Sequence, residues 1–169
     1  MTFSRRRVAA LAAVAALCMS TASAHEDKHG ASASHLSTAQ AKSFGQPGIG
    51  KNVTRTIAIT LSDGMRFNPA KLAVKQGETI RLRITNIGKI PHEFVLGTRD
   101  ELAEHAQMMR QMPGMTHNDA SSVQVAPGKT TDVVWQFSEA GNFLFACLIP
   151  GHREAGMEGS VTVARRNKR

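Results

Sequence analysis

The stretch TIRLRIT, from Thr79 to Thr85, alternates strictly between polar and apolar side chains, with Ile80, Leu82 and Ile84 on one face. A period of two indicates a β-strand with one face in a core. Further runs rich in β-forming residues are separated by turn signals such as Asp-Gly and Pro-Gly, and they cover residues 56–61, 71–74, 92–96, 122–125, 130–137, 142–146 and 159–163. Short strands at this spacing predict an all-β, antiparallel sandwich or barrel.

One segment breaks the strand pattern. Residues Asp100–Gln111 are mostly strong helix formers, and Pro113-Gly114 would end a helix that runs through them. The sequence therefore predicts a short helix inserted between two strands. The second half of this insertion is rich in methionine.

The first 24 residues have the layout of a secretory signal peptide. Arg5-Arg6-Arg7 precedes the alanine-rich apolar run Val8–Met19, and Ala22-Ser23-Ala24 supplies a cleavage site after Ala24. The apolar run is too short for a stable membrane anchor, and no later segment is long and apolar enough to span a bilayer. We therefore expect an exported, periplasmic protein.

Composition divides the rest of the chain into three parts. Residues 25–52 contain few large apolar side chains, so they are expected to form a flexible arm. The strand pattern places the folded domain at 53–164, and residues 165–169 form a basic tail that is interpreted as solvated. The formal net charge is +8, but aromatic residues are few and are not interleaved with the basic ones, so nucleic-acid binding is not expected.

Cys147 is the one cysteine that remains once the predicted signal peptide is removed. An exported chain with a single thiol cannot form an internal disulfide, so the thiol pairs with another chain, reacts, or binds a metal. His152 and Met157 follow at intervals of five residues, and Pro150-Gly151 would interrupt a helix between them. The three side chains can meet only in a folded loop between two strands.

A thiolate, an imidazole and a thioether together suit copper, and two histidines, a cysteine and a weak axial methionine describe a type 1 copper site. The second histidine must come from elsewhere. His92, at the start of a predicted strand, is the best candidate, and His105 and His117 are poorer ones. The alternatives are an inert core cysteine or a nucleophilic pair of Cys147 with His152, although no family signature or orienting acid accompanies such a pair.

The stretches FACLIPGHREAGMEGSVTV and KLAVKQGETIRLRITNIGKIPHEFVL resemble the cupredoxins, the type 1 copper proteins that include plastocyanin, azurin and auracyanin. The resemblance covers roughly residues 53–164. It implies a Greek-key β-sandwich that binds one copper ion through His92, Cys147, His152 and, axially, Met157. Many cupredoxins have asparagine after the upstream histidine, where this chain has Glu93, so the resemblance leaves open whether the site is blue or green.

Two further segments are rich in soft or borderline metal donors. They are interpreted either as an apolar surface for a redox partner and a soluble tether, or as additional weak copper sites. The helical insertion contributes His105, Met108, Met109, Met112, Met115 and His117, and the arm contributes His25, His29 and His35.

Two functions remain open at this stage. The first is copper homeostasis or tolerance combined with one-electron transfer, and the second is a dedicated electron carrier between respiratory or photosynthetic complexes. The extra donors favour the first, and the chain is also similar to small periplasmic cupredoxins associated with bacterial copper resistance. An enzyme is not expected, because four protein ligands leave no obvious position for a substrate. The expected partners are copper ions and a redox protein.

Overall fold

Ten strands and one α-helix form within residues 41–112 and 119–167, the residues that the computed structural model describes. The strands are β1 (Gly45–Pro47), β2 (Arg55–Ser62), β3 (Arg66–Asn68), β4 (Lys71–Lys75), β5 (Thr79–Asn86), β6 (His92–Gly97), β7 (Ser122–Val125), β8 (Thr130–Phe137), β9 (Gly141–Ala146) and β10 (Glu158–Ala164). The helix, α1, spans Arg99–Gln111, and a short 3-10 turn spans Gly50–Asn52.

The strands form two five-stranded sheets that enclose one core. The first sheet has the order β1-β8-β5-β2-β3, and the second has the order β4-β10-β9-β6-β7. The predicted sandwich is confirmed, and each of the eight predicted strands lies within one residue of an observed strand at both ends. The predicted antiparallel pairing is wrong for two pairs, because β2 runs parallel to β5 and β4 runs parallel to β10.

The alternation in β5 produces the expected burial. Ile80, Leu82 and Ile84 are fully buried and lie in the core with Trp135 and Phe137 of β8. Burying one such aliphatic side chain contributes about 1.5–3 kcal/mol to folding. These residues make the inner face of the first sheet the rigid half of the sandwich against which the second sheet packs.

Three aromatic rings fill the core between the sheets. Phe94 lies two residues after His92, and Phe145 lies two residues before Cys147, so the period of two places each on the same face of its strand as a candidate copper ligand. Their ring centroids are 5.2 Å apart, and Phe67 of β3 meets them edge-on at 6.0 and 5.0 Å. The candidate ligands therefore stand above a closely packed aromatic layer.

The predicted helix is confirmed as α1. Thr98 caps its N-terminus in a reciprocal capping box with Glu101, in which each side chain accepts the backbone N–H of the other residue. Leu102 and Met109 are buried and pack with Val95 and neighbouring residues of the second sheet. Within residues 41–112 and 119–167, no helix is long and apolar enough to cross a membrane.

Residues 41–52, directly before the predicted domain, pack against the sandwich. Phe44 is fully buried, and its ring lies 5.2 Å from Trp135 and 5.1 Å from Phe143, while β1 pairs with β8. The predicted flexible arm, 25–52, is therefore too long at its C-terminal end. The arm is predicted because the segment has few large apolar residues, and that composition gives no sign that Phe44 packs into the core. Residues 25–40 lie outside the described part of the chain.

Candidate metal centre

The ends of three neighbouring strands bring the candidate ligands together. β6 and β10 flank β9 and both run antiparallel to it. β10 begins opposite Ala146, the last residue of β9, and the first residues of β6 extend beyond that end of β9, since Val95 is the residue that pairs with Ala146. His92 is the first residue of β6, Cys147 directly follows β9, and Met157 directly precedes β10. Residues that are far apart in sequence thus reach one end of the second sheet because of the strand order.

The segment from Cys147 to Met157 is a folded loop, as the spacing predicted. The backbone N–H of Cys147 donates to the carbonyl of Met157 at 3.1 Å, and the N–H of Met157 donates to the carbonyl of His152 at 3.0 Å. Gly151 and Gly156 have φ angles of 90° and 102°, which a side chain rarely permits. These bonds hold all three candidate ligands within one compact loop.

Three donor atoms converge on one point. The Sγ atom of Cys147 lies 3.2 Å from Nδ1 of His152, and that Nδ1 lies 3.3 Å from Nδ1 of His92. All three donor atoms lie within 4.8 Å of one another, which is the spacing of a shared metal ion. His92 and Cys147 are fully buried, and His152 is partly exposed. Met157 is fully buried beside them.

Burial sets the protonation states of this group. The pKa of the Cys147 thiol is raised to about 11, mainly by burial and to a smaller extent by the nearby Glu93 charge, while hydrogen bonds from the backbone of Glu93 and Ile149 oppose the rise. Burial also lowers the pKa of His152, with His92 as a second cause. Both ligands are therefore neutral at pH 7 when no metal is present. A coordinated cation would provide the positive charge that keeps the thiolate deprotonated.

Asp63 also contacts a proposed ligand, which the sequence does not predict, because Asp63-Gly64 indicates only a turn. The carboxylate lies 3.2 Å from Nε2 of His92, on the side of the ring away from the donor group. The backbone N–H of Lys89 donates to it at 2.7 Å, and this bond is the main reason why the pKa of Asp63 lies below its usual value. No local pattern could connect Asp63 to a residue 29 positions later.

Glu93 has two roles on opposite sides of its strand. Its backbone N–H lies 3.2 Å from Sγ of Cys147 and donates to it, whatever the side chain at this position. Its side chain is buried on the outer side of β6, with Oε1 3.4 Å from Nε2 of His105 in α1. A buried carboxylate needs a compensating partner, and His105 lies where it can supply one.

The candidate secondary donors lie apart from this group. His105 faces Glu93 and not the Cys147 loop, and Met109 is buried on the face of α1 that packs against the second sheet. Met108 and Met112 are 39% and 42% exposed, four residues apart on the helix surface. The remaining candidates lie outside the described residues, namely Met115, His117, His25, His29 and His35.

Residues 53–164 match the family model of the copper binding proteins of the plastocyanin/azurin family. The chain belongs to the plastocyanin/azurin family. It is 48% identical to the copper-resistant cuproprotein CopI of Rubrivivax gelatinosus, over 91% of this chain and 94% of that protein. It is 37% identical to the copper-resistant cuproprotein CopI of Pseudomonas aeruginosa, over 79% of this chain and 89% of that protein.

A solved structure of the same fold is the reduced auracyanin of Roseiflexus castenholzii, with a TM-score of 0.57 and 22% identity over 66% of this chain and 98% of that one. This likeness confirms the fold. The donor chemistry fits the metal of the plastocyanin/azurin family, since a buried thiol, two imidazole nitrogens and a nearby thioether are the donors that copper prefers. The protein therefore has a type 1 copper site at this end of the sandwich.

Proposed function

We propose that the protein is a periplasmic, mononuclear type 1 copper protein that acts in copper tolerance and in one-electron transfer. The observation that carries this proposal is the convergence of the Cys147, His92 and His152 donor atoms within 4.8 Å, two of these side chains being fully buried. We assign His92, Cys147 and His152 as the strong ligands and Met157 as the weak axial ligand.

The chain contributes a metal site whose ligands are held in position before copper binds. Copper supplies the exchange of one electron between its Cu(I) and Cu(II) states. The loop hydrogen bonds and the aromatic layer beneath the ligands resist movement, so little rearrangement accompanies a change of charge. Burial of His92 and Cys147 excludes water from the donor group. The N–H of Glu93 stabilises negative charge on the Cys147 sulfur.

The tolerance role rests on the relatives and on the extra donors. Two relatives that this chain matches over most of its length are named copper-resistant cuproproteins. Export through the predicted signal peptide would place the protein where copper enters the cell. The exposed pair Met108 and Met112 offers thioethers that suit Cu(I). These features support copper handling beyond a single electron-transfer centre.

We also infer that the protein is not an enzyme. With His92, Cys147, His152 and Met157 all bound, the metal keeps no open position, and catalytic metal sites need one for substrate or water. A one-electron carrier needs no such position. Turnover with small phenolic or cuprous substrates by the copper-loaded protein would contradict this inference.

A dedicated electron carrier is the second candidate. The observation in its favour is a cluster of exposed apolar residues in the loop before His92, where Ile87 and Ile90 are 64% and 37% exposed. Exposed apolar side chains next to a redox centre suit transient docking of a partner. Expression separates the two roles, since a tolerance protein rises with copper and a carrier rises with respiration or photosynthesis.

The direct test is the visible and EPR spectrum of the copper-loaded chain, compared with Cys147→Ser. We expect an intense sulfur-to-copper charge-transfer band that disappears in Cys147→Ser. The matched control is Ser138→Ala, an exposed position in the turn between β8 and β9, at the opposite end of β9 from Cys147, which should leave the band intact. A missing band in the unmodified protein, or an undiminished band in Cys147→Ser, would reject the copper assignment.

The tolerance role has a separate test in cells. A strain that lacks the gene should grow poorly on copper and recover with the unmodified gene. Cys147→Ser should fail to restore growth if the type 1 site is needed. Equal growth of the deletion strain and its parent at every copper concentration would favour the carrier role.

A further inference from the structure

The carboxylate of Asp63 bridges the two sheets at the copper site. Asp63 lies in the turn between β2 and β3 of the first sheet, but its contacts are with the segment before β6 of the second sheet. Its Oδ2 atom accepts the N–H of Lys89 at 2.7 Å. Its Oδ1 atom accepts the N–H of Ile90 at 3.4 Å and lies 3.2 Å from Nε2 of His92. Both oxygens are therefore directed at the same short segment.

The contact with Nε2 determines which nitrogen of His92 faces the metal site with a lone pair. A neutral imidazole carries one N–H, on either Nδ1 or Nε2. The ring is fully buried, and its Nδ1 lies 3.3 Å from Nδ1 of His152. An ionised carboxylate can only accept a hydrogen bond, so Asp63 favours the tautomer with the proton on Nε2, which leaves Nδ1 as a metal donor. Without this acceptor, the proton would be distributed between the two nitrogens.

The segment before His92 is shaped to receive this carboxylate. A Cβ atom on Gly88 would collide with Oδ1 of Asp63, so a side chain there would push the carboxylate away. From the other side, the Asn86 side chain accepts the N–H of Gly88 at 2.8 Å and donates to the carbonyl of Ile90 at 2.8 Å. The fixed loop and the close glycine together determine where Asp63 lies relative to His92.

We propose that Asp63 is a positioning residue for the copper ligand His92: its carboxylate holds the proton on Nε2 and fixes the ring with Nδ1 directed at the metal. This role rests on the proposed copper function. It also compensates for the residue that the cupredoxin resemblance lacks after His92. The side chain of Glu93 faces away from the site, and a residue of the opposite sheet supports the ligand segment in its place.

The test compares Asp63→Ala, Asp63→Asn and Asp63→Glu with the unmodified chain. The matched control is Asp119→Asn, another loop carboxylate that accepts a backbone N–H, from Ser121 at 3.0 Å, and that touches no proposed ligand. The first measurement is the tautomer of His92 in the metal-free protein, from the ¹⁵N shifts of its ring. The second is copper affinity by competition with a chelator, together with the position of the charge-transfer band.

We expect Nε2-protonated His92 in the unmodified chain and in Asp119→Asn, and a mixture of tautomers in Asp63→Ala. Copper affinity should fall about 10- to 100-fold in Asp63→Ala and shift the band, with partial recovery in Asp63→Glu. Asp63→Asn keeps the shape of the side chain but loses one acceptor oxygen. Should Asp63→Ala fail to fold, Asp63→Asn should show the same changes in tautomer, copper affinity and band position, each of them smaller.

A preserved Nε2 tautomer in Asp63→Ala, or in Asp63→Asn if the alanine variant does not fold, overturns the proposal, and so does a copper affinity in that variant that falls no further than in Asp119→Asn. The tautomer is measured without metal, so the two proposals fail separately. An unmodified chain that shows the Nε2 tautomer but binds no copper would reject the proposed function and leave the Asp63 contact in place.

Discussion

At the scale of single residues, Met157 is the proposed ligand that binds the metal most weakly, and its specific effect is on the reduction potential. It is fully buried, and its backbone carbonyl accepts the N–H of Cys147. The axial ligand of such a site donates weakly, and together with the hydrophobicity of the surroundings it tunes the reduction potential. A more apolar side chain at this position favours the less charged Cu(I), so the position adjusts the potential more than it holds the metal.

We therefore expect Met157→Leu to keep copper and its charge-transfer band but to have a higher reduction potential. Leucine conserves the buried volume, so the free energy of unfolding should change by less than about 1.5 kcal/mol. Ile80→Leu is the control, because Ile80 is a fully buried aliphatic residue at the start of β5, in the sheet that supplies no proposed ligand. Spectroscopic redox titration measures both variants. Equal potentials in Met157→Leu and the unmodified protein would remove Met157 from the ligand set.

Glu93 shows how one residue can depart from a family pattern without disturbing the centre. The hydrogen bond to the Cys147 sulfur comes from its backbone, so it does not depend on the side chain. The side chain is directed to the other side of β6, where His105 of α1 covers it. The helical insertion thus contributes the partner that makes a buried carboxylate tolerable at this position.

At the scale of structural elements, the turn between β2 and β3, together with Arg66 at the start of β3, touches both ligand-bearing segments. Asp63 contacts the segment before His92, and Nη1 of Arg66 donates to the carbonyl of Ala155 at 2.8 Å. Ala155 lies in the loop between His152 and Met157, so the turn holds this loop as well. The first sheet supplies no proposed ligand, but it restrains the ligands that the second sheet supplies.

Removal of this restraint should loosen the loop. We expect Arg66→Ala to release copper to a chelator up to about tenfold faster, which corresponds to about 1.4 kcal/mol for the loss of one charge-assisted hydrogen bond. Bleaching of the charge-transfer band after rapid mixing measures the rate. Arg83→Ala is the control, since Arg83 pairs with Asp132 on the face of β5 and not with the loop. Equal release rates in the two variants would show that the turn does not restrain the site.

The elements also show which parts of the structure the sequence predicts. Long strands such as β5 and β8 have enough residues for alternation to reveal them, and their bounds are predicted to within one residue. β1 and β3 have three residues each, too few for a period to appear. Strand direction is not encoded by alternation either, so the parallel pairs β2–β5 and β4–β10 are visible only in the structure.

The same limit applies to the site. The donors in the loop from Cys147 to Met157 can be predicted because they lie close together in sequence. His92 is then predicted because the site needs one more imidazole. Asp63 has no such signal. Its contact depends on how a turn of one sheet lies against a loop of the other, which is a property of the packed sandwich and not of any short stretch of sequence.

At the scale of the whole molecule, the two sheets share the task of holding the metal site. The inner face of the first sheet provides the packed support, and the strand ends of the second sheet provide the donors. Pairing within the first sheet therefore bears on the stability of the whole sandwich. Asp132 of β8 is part of this pairing, since its carboxylate lies 2.8 Å from Arg81 and 3.1 Å from Arg83 of β5.

Asp132 makes the stability of the protein depend on pH. Hydrogen bonds from Arg83 and then Arg81 hold the pKa of Asp132 below its ordinary value of about 3.9. A group whose pKa is lower in the folded state stabilises the fold above its unfolded value and loses that contribution as the pH falls through the folded value. The pair is largely open to solvent, so the contribution is at most about 1 kcal/mol.

We expect the metal-free protein to lose stability as the pH is lowered from about 5 to 3, and Asp132→Asn to lose less over the same range. Urea unfolding at each pH measures the free energy, and it should be repeated in high salt, where the exposed pair is screened and the difference should shrink. Glu139→Gln, an exposed position in the turn between β8 and β9, is the control and should follow the unmodified chain. If Asp132→Asn loses as much stability as the unmodified chain over this pH range, the arginine pairing does not stabilise the first sheet.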